Sequence, residues 1–346
     1  MIEPPSKAAY ESLTEQEKNF LYSLPNRVEL HAHLNGSIPI ETLESLAQSS
    51  KESSEGIEVF KNGISLDEIA DFFDLFPAIY SLTSTRETVT LCLILIFSKV
   101  TVDVLRSFLH DQNATKIELR STPRATPHMT RYQYIQAVVD GIEIVEKTLG
   151  ENRIGLIVSV DRRMSAEDAN EVVTLASQFD RVVGIDLCGN MFKARDLKAL
   201  IGPLLRGKEL GKGLTMHLYE TEPRNEEEEE LEWQLLQLKP LRLGHATYLS
   251  SRALEFVKKE GICIELCLSS NVMCKTANSV GEHHITRLLE EGINVTICTD
   301  DPLPFRTGLM KELAILLAQP PLGLGLSKDS VRSIADNGEK FMFINN

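Results

Sequence analysis

Short apolar, β-rich runs recur along the chain with a regular rhythm. They cover residues 28–34 (VELHAHL), 115–121 (TKIELRS), 153–160 (RIGLIVSV), 182–189 (VVGIDLCG), 214–220 (LTMHLYE), 241–247 (LRLGHAT), 262–270 (ICIELCLSS) and 294–301 (NVTICTDD). Between most of them lie about 15 to 25 residues of helical periodicity, such as AEDANEVVTLASQF, a spacing typical of βαβ units. Eight such runs predict a closed (β/α)8 barrel, the TIM-barrel form of the α/β class, with a doubly wound open sheet as the alternative. The interval from Leu34 to Thr115 is far longer than the rest and predicts a helical insertion after strand 1, over residues 35–114, that includes SLDEIADFFDLFPAIYSL. Within it, Val89 to Ser98 (VTLCLILIFS) is about half a membrane span and continues into Lys99, Asp103 and Arg106, which reads as a buried helix.

The ends of the runs are polar or small: His-Ala-His, Arg-Ser-Thr, Asp-Arg-Arg, Gly-Asn, His-x-x-Glu, Gly-His, Ser-Ser-Asn and Asp-Asp. A parallel barrel gathers all of these at one face, where active sites are built, whereas an open sheet scatters them along a crevice.

Composition narrows the class. With 346 residues, 42% hydrophobic and 25% charged, the chain reads as an ordinary globular protein of a single domain, residues 1–346. A net charge of −14 argues against a nucleic-acid partner, because phosphate backbones need a basic footprint. Six cysteines without a C-x-x-C pair, mostly in apolar runs, read as free thiols of a reducing compartment. The polar start, MIEPPSKAAYESLTEQEKNF, is no signal peptide. The expectation is a cytoplasmic, monomeric protein with no membrane partner.

The chemistry follows from the strand ends. In His31-Ala32-His33, positions i and i+2 of a strand face the same way, so two imidazoles stand side by side where the strand ends. Buried histidines that merely satisfy hydrogen bonds have the same appearance, and His-x-His alone is a weak signal. If the barrel closes, strand 8 brings Asp300 beside His31 and His33, and His217 lies across the mouth. Three histidines and a carboxylate suit Zn²⁺ with a coordinated water. Glu220 follows His217 closely enough to pass protons, and His245 is placed to hold the water. Asp300 and Asp301 both reach the centre only if the strand ends between them, an ending that Pro302 favours; a simple turn is the blander explanation.

Taken together, His31-x-His33-Leu-Asn-Gly-Ser, His217-x-x-Glu220, Gly244-His245 and Thr299-Asp300-Asp301-Pro302 resemble the adenosine/AMP deaminase family of metal-dependent hydrolases, over roughly residues 27 to 340. The resemblance implies one zinc per subunit, held by His31, His33, His217 and Asp300. It implies catalytic roles for Glu220, which protonates the purine at N1, for His245, which positions the attacking hydroxide, and for Asp301, which bonds N7. His33 and Gly189 then border the purine.

The branch is read from departures. Adenosine deaminases proper carry His-x-His-Leu-Asp-Gly, whose acid meets the ribose 5′-hydroxyl, whereas Asn35 stands here. An amide removes repulsion toward a 5′-phosphate and can donate to it. Ser121, Thr122, Pro123 and Arg124 add hydroxyls and a guanidinium suited to phosphate, although a surface salt bridge explains Arg124 equally well. Both features resemble the adenosine deaminase-like branch, which acts on N6-methyl-AMP; there Asp161 lines the site and Tyr80, in place of histidine, contacts the nucleotide. Ala246 replaces a glycine, and Tyr219 replaces a smaller residue before Glu220.

The expected function is zinc-dependent deamination of a purine nucleoside monophosphate, N6-methyl-AMP to IMP and methylamine. The alternatives are deamination of free adenosine and an inactive homologue kept as a binding protein. The missing His-x-Glu and Pro-Cys-x-x-Cys signature argues against a nucleic-acid deaminase. The acidic run 226–230 reads as a solvated helix face, His283-His284 as structural or rim residues, and Gly323-Leu-Gly325 as no dinucleotide fingerprint. His110 and His128 have no partner legible in the sequence.

Overall fold

The computed structural model describes residues 3–50, 55–83, 90–127, 129–150 and 153–344; Val89 and His128 lie outside them. Eight strands follow one another in a single parallel sheet: β1 (Val28–His33), β2 (Lys116–Ser121), β3 (Ile154–Asp161), β4 (Val182–Cys188), β5 (Gly213–Leu218), β6 (Arg242–His245), β7 (Cys263–Leu266) and β8 (Val295–Ile297). The order β1 to β8 matches chain order, with helices between, as a (β/α)8 barrel requires. Two strands, β7 and β8, stop well before the ends of their apolar runs. β7 ends at Leu266, and Leu268–Met273 is helical, so the Ser-Ser-Asn end begins a helix; β8 stops at Ile297, well before the two aspartates.

The β8–β1 seam is closed partly by a side chain. Glu29 accepts the His31 N–H at 2.8 Å on one carboxylate oxygen and the Thr299 N–H at 3.1 Å on the other. Above it, the His33 N–H donates to the Asp300 carbonyl at 3.0 Å.

The barrel interior is charged where aliphatic layers are usual. Arg242 lies 2.8 Å from Glu118 and 2.6 Å from Glu265, and Arg120 lies 2.8 Å from Glu265 and 3.4 Å from Asp186. All five are fully buried. The floor is plugged from the C-terminal segment: the Phe341 carbonyl takes a bond from Arg242 at 2.8 Å, and the Phe343 ring lies 3.8 Å from that guanidinium. Phe343 fits only because Gly184 and Gly213 carry no side chain; a Cβ there would stand 2.4 and 2.2 Å from the ring.

The insertion is helical among its described residues: Ile40–Ser50, Glu55–Asn62, Ile69–Phe73, Phe76–Thr83 and Thr90–Arg106. The stretch SLDEIADFFDLFPAIYSL breaks into two helices because Pro77, tolerated in a first turn, clashes with the carbonyl four residues earlier in a helix interior. Thr90–Arg106 packs on the helix Arg131–Leu149 at close range, since a Cβ on Gly141 would meet the Thr101 Cβ at 2.6 Å. Its buried Phe97, Val100, Val104 and Leu105 fit the buried-helix reading, and no helix among the described residues is long and apolar enough to cross a membrane.

Candidate active site

Strand alternation turns His31 and His33 inward from β1, and His217 inward from β5. Two of the three imidazoles are set from behind. His31 donates through Nδ1 to Glu265 at 2.6 Å, and His217 donates through Nδ1 to Asp186 at 3.0 Å, which leaves both Nε2 atoms bare. The His217 Nε2 lies 3.2 Å from the His33 Nε2, and the Asp300 carboxylate is 3.5 Å from the His33 Nε2 and 3.7 Å from the His31 Nε2. The buried His31 Nε2 has no hydrogen-bond partner among the described residues. The Nε2 atoms of His31 and His217 and a carboxylate oxygen of Asp300, facing one another, repel unless a cation or a shared proton lies between them. The donor set therefore fits a borderline divalent metal, with carboxylates behind two histidines as metal sites provide.

Charge follows the same plan. Burial, with smaller contributions from Arg120 and the neighbouring imidazoles, holds His31 and His33 well below the ordinary histidine value. Burial also opposes a charge on His217, but the Asp186 carboxylate outweighs it and raises that ring. Glu265 is held at about 2: burial works against its charge, and Arg120 and Arg242 prevail.

Asp300 has φ of 63°, a left-handed turn after the strand has ended, and this answers how two adjacent acids both face inward. Ser270 donates to Asp300 at 2.7 Å, while Asp301 rests against Gly36, where any Cβ would stand 1.5 Å from a carboxylate oxygen. Gly244 likewise clears the His31 ring, 2.5 Å from the position of a Cβ. Glu220 stands 3.5 Å from the His245 Nε2, and burial raises its carboxyl above the ordinary value. Burial lowers His245 to about 4, against the pull of Asp300. The backbone at Tyr219, His245 and Ala246 is left-handed, with φ of 54°, 60° and 50°.

At the rim, Arg124 lies 4.0 Å from the centre of the Tyr80 ring and donates to the Thr83 hydroxyl at 3.1 Å. Asn35 is buried with its amide oxygen unpartnered. Asp161 is clamped by Arg163 at 2.6 Å and faces Gly189, whose φ of 99° and lack of Cβ admit it. Thr122 is 3.6 Å from the Cys188 sulfur, and Pro123 is buried beside it. Ser121 is not brought to the mouth: its hydroxyl bonds Tyr134 of the helix Arg131–Leu149 at 2.7 Å, on the face of β2 opposite Arg120. Asp186, Glu265, Arg120 and Arg162 are groups that the sequence reading passed over. Arg162 donates to the His217 carbonyl, and to the Gly189 carbonyl at 3.2 Å. Their signal is a lone charge inside an apolar parallel strand or at its end, a placement that burial forbids without a partner. His283 and His284 serve the fold, bonding Asn271 at 3.0 Å and the His245 carbonyl at 2.8 Å, and residues 226–230 open a helix capped by Asn225.

Comparison with known proteins places this constellation. A family model for adenosine deaminase matches residues 26–346. The chain is 34% identical over 315 residues to an adenosine deaminase-like protein of Drosophila melanogaster, covering 89% of this chain and 88% of that one. It is 33% identical over 317 residues to the N6-methyl-AMP deaminase of Bos taurus, covering 86% and 85%. A crystal structure of Arabidopsis ADAL complexed with IMP superposes with a TM-score of 0.80 at 29% identity, covering 94% of each chain.

Proposed function

The chain belongs to the adenosine deaminase family and is a hydrolytic deaminase of C–N bonds, and on that footing we propose that its substrate is a 6-substituted purine nucleoside 5′-monophosphate. The reaction is N6-methyl-AMP plus water to IMP plus methylamine. One observation carries the nucleotide preference: Arg124 is held face-on to Tyr80 after β2, and the residue that follows His33-Leu34 is the neutral Asn35 and no carboxylate. A guanidinium and an amide receive a dianionic phosphate, whereas a carboxylate at position 35 would repel it.

His31, His33, His217 and Asp300 would hold a zinc ion, which would supply hydroxide at neutral pH by lowering the pKa of a bound water to about 7. The chain's own groups do the rest. Glu220, whose carboxyl burial raises above its ordinary value, delivers a proton to purine N1 and so makes C6 electrophilic. His245, 3.5 Å from Glu220, orients the nucleophile toward C6. Asp301, seated against Gly36, hydrogen-bonds N7, and Gly189 lets the ring approach the backbone of the β4 end. Glu220 then takes the proton of the new C6 hydroxyl and passes it to the leaving nitrogen, so that methylamine departs and the 6-oxo product keeps its N1 proton.

Steady-state turnover of the zinc-loaded chain on N6-methyl-AMP, AMP and adenosine tests the proposal. The expected kcat/KM for the methylated monophosphate exceeds that for adenosine by about 100-fold, the worth of two charge-assisted bonds. A preference for adenosine would overturn the reading of Asn35 and Arg124.

A further inference from the structure

Strand β6 ends in a turn that ordinary residues avoid. His245 and the buried Ala246 are consecutive left-handed residues, and neither is glycine. Within the turn itself the support is slight: the Ala246 N–H bonds the Gly244 carbonyl at 2.8 Å, a span of two residues. The outside support comes from the connection after β7. His284 donates through Nε2 to the His245 carbonyl at 2.8 Å. A carbonyl can only accept, so the neutral ring carries its proton on Nε2, and its bare Nδ1 is unpartnered.

His284 is itself braced. Its ring stacks on His283 with centroids 4.3 Å apart and 24° between planes. His283 is fixed at both nitrogens, accepting the Ile285 N–H at 3.1 Å and bonding the Asn271 amide oxygen at 3.0 Å. The Asn271 amide nitrogen reaches on to the Thr247 hydroxyl at 3.3 Å. The turn is therefore gripped on both sides of Ala246, at His245 and at Thr247, by one connected unit.

We propose that His284 is a positioning residue for His245: its bond to the His245 carbonyl, braced by His283 and Asn271, holds the left-handed turn that glycine at 246 would adopt unaided. The inference rests on the role given to His245 above. Without the clamp the turn relaxes toward negative φ, and the His245 Nε2 leaves its place 3.5 Å from Glu220 and 3.9 Å from Asp300. With glycine at 246 the turn keeps its shape whether or not the clamp is present.

The test is a double-mutant cycle on the zinc-loaded full chain, with His284→Ala, Ala246→Gly and the pair, plus His284→Gln, which retains a donor. Turnover of N6-methyl-AMP and the thermal midpoint without substrate are both read. His284→Ala is expected to lower kcat about 30-fold with KM within about twofold, as displacement of a positioned group does. Ala246→Gly alone is expected to stay near wild type, and the double variant to recover to within about threefold, a coupling between contacting sites. His284→Gln is expected to retain most of kcat. In the midpoints, the loss caused by His284→Ala shrinks in the glycine background. Strictly additive kcat effects, or a His284→Ala enzyme of wild-type kcat, would overturn the inference. If wild type itself fails to turn over N6-methyl-AMP, the substrate reading fails alone. The midpoint cycle then decides the clamp: coupling supports it and additivity overturns it. Should His284→Ala not fold, His284→Gln with unchanged kcat supports the clamp, and His284→Gln falling to the level expected of alanine overturns it.

Discussion

Below His31 the interior of the barrel is a lattice of opposite charges, whereas above it the same strands end in polar atoms that face one another across a gap. In the lower layer Glu118, Arg242, Glu265, Arg120 and Asp186 each stand within 3.4 Å of an opposite charge. In the upper layer the His31 Nε2, the His245 Nδ1 and an oxygen of Asp301 are buried without hydrogen-bond partners among the described residues. Glu265 and Asp186 belong to both layers, because the carboxylate oxygen that meets Arg120 also takes the proton of a metal-facing histidine. For His31 and His217 the lower layer fixes the proton from beneath and leaves the Nε2 lone pair of each pointing at a common centre.

The comparison breaks most visibly if the lattice is opened. Arg242→Met removes the cation shared by Glu118 and Glu265, and denaturant unfolding is expected to show a loss of about 3–5 kcal/mol, the usual consequence of stranding a buried charge. Stability close to wild type would mean that the two carboxylates take up protons at no cost, and the lattice would lose its meaning.

A smaller change probes the join. Asp186→Asn keeps the shape but weakens the acceptor behind His217, and metal affinity is expected to fall about 10–100-fold in a chelator competition, with the fold intact by circular dichroism. Unchanged affinity would separate the two layers.

The smallest effect sharpens the contrast between paired and unpaired acids. Glu312 is fully buried with Ser269 and Thr307 as its hydrogen-bond partners among the described residues, and burial pushes its carboxyl up to about 7, where Glu265 with two arginines sits at about 2. A carboxyl raised on folding favours the native state below its ordinary value near 4.5, and that contribution is lost as pH rises through 7. Glu312→Gln should flatten the decline by about 1–2 kcal/mol between pH 4.5 and 6, and parallel pH profiles of the two proteins would contradict it.

Much of this was legible in the residues. The eight apolar runs announce themselves by spacing, and their polar ends mark the working face, so His31, His33, His217, Glu220, His245 and the two aspartates could be read before any coordinates. What escaped has physical reasons. A single acid inside VVGIDLC or ICIELC leaves periodicity untouched, so Asp186 and Glu265 declare themselves only when a histidine and an arginine from other strands arrive. Ser121 looked like a rim hydroxyl, yet alternation with the inward Arg120 turns it to Tyr134. The reach of both Asp300 and Asp301 depends on a left-handed backbone at a residue that is not glycine, and local pattern does not encode that.

The plug beneath the barrel ties the two ends of the sequence together without letting them touch at the mouth. Phe341 and Phe343 seat Arg242, Arg242 bonds Glu265, and Glu265 takes the N–H of His31, so residues that follow every strand are linked to an imidazole on the first. The path from floor to mouth is three side chains long, and every one of them is buried.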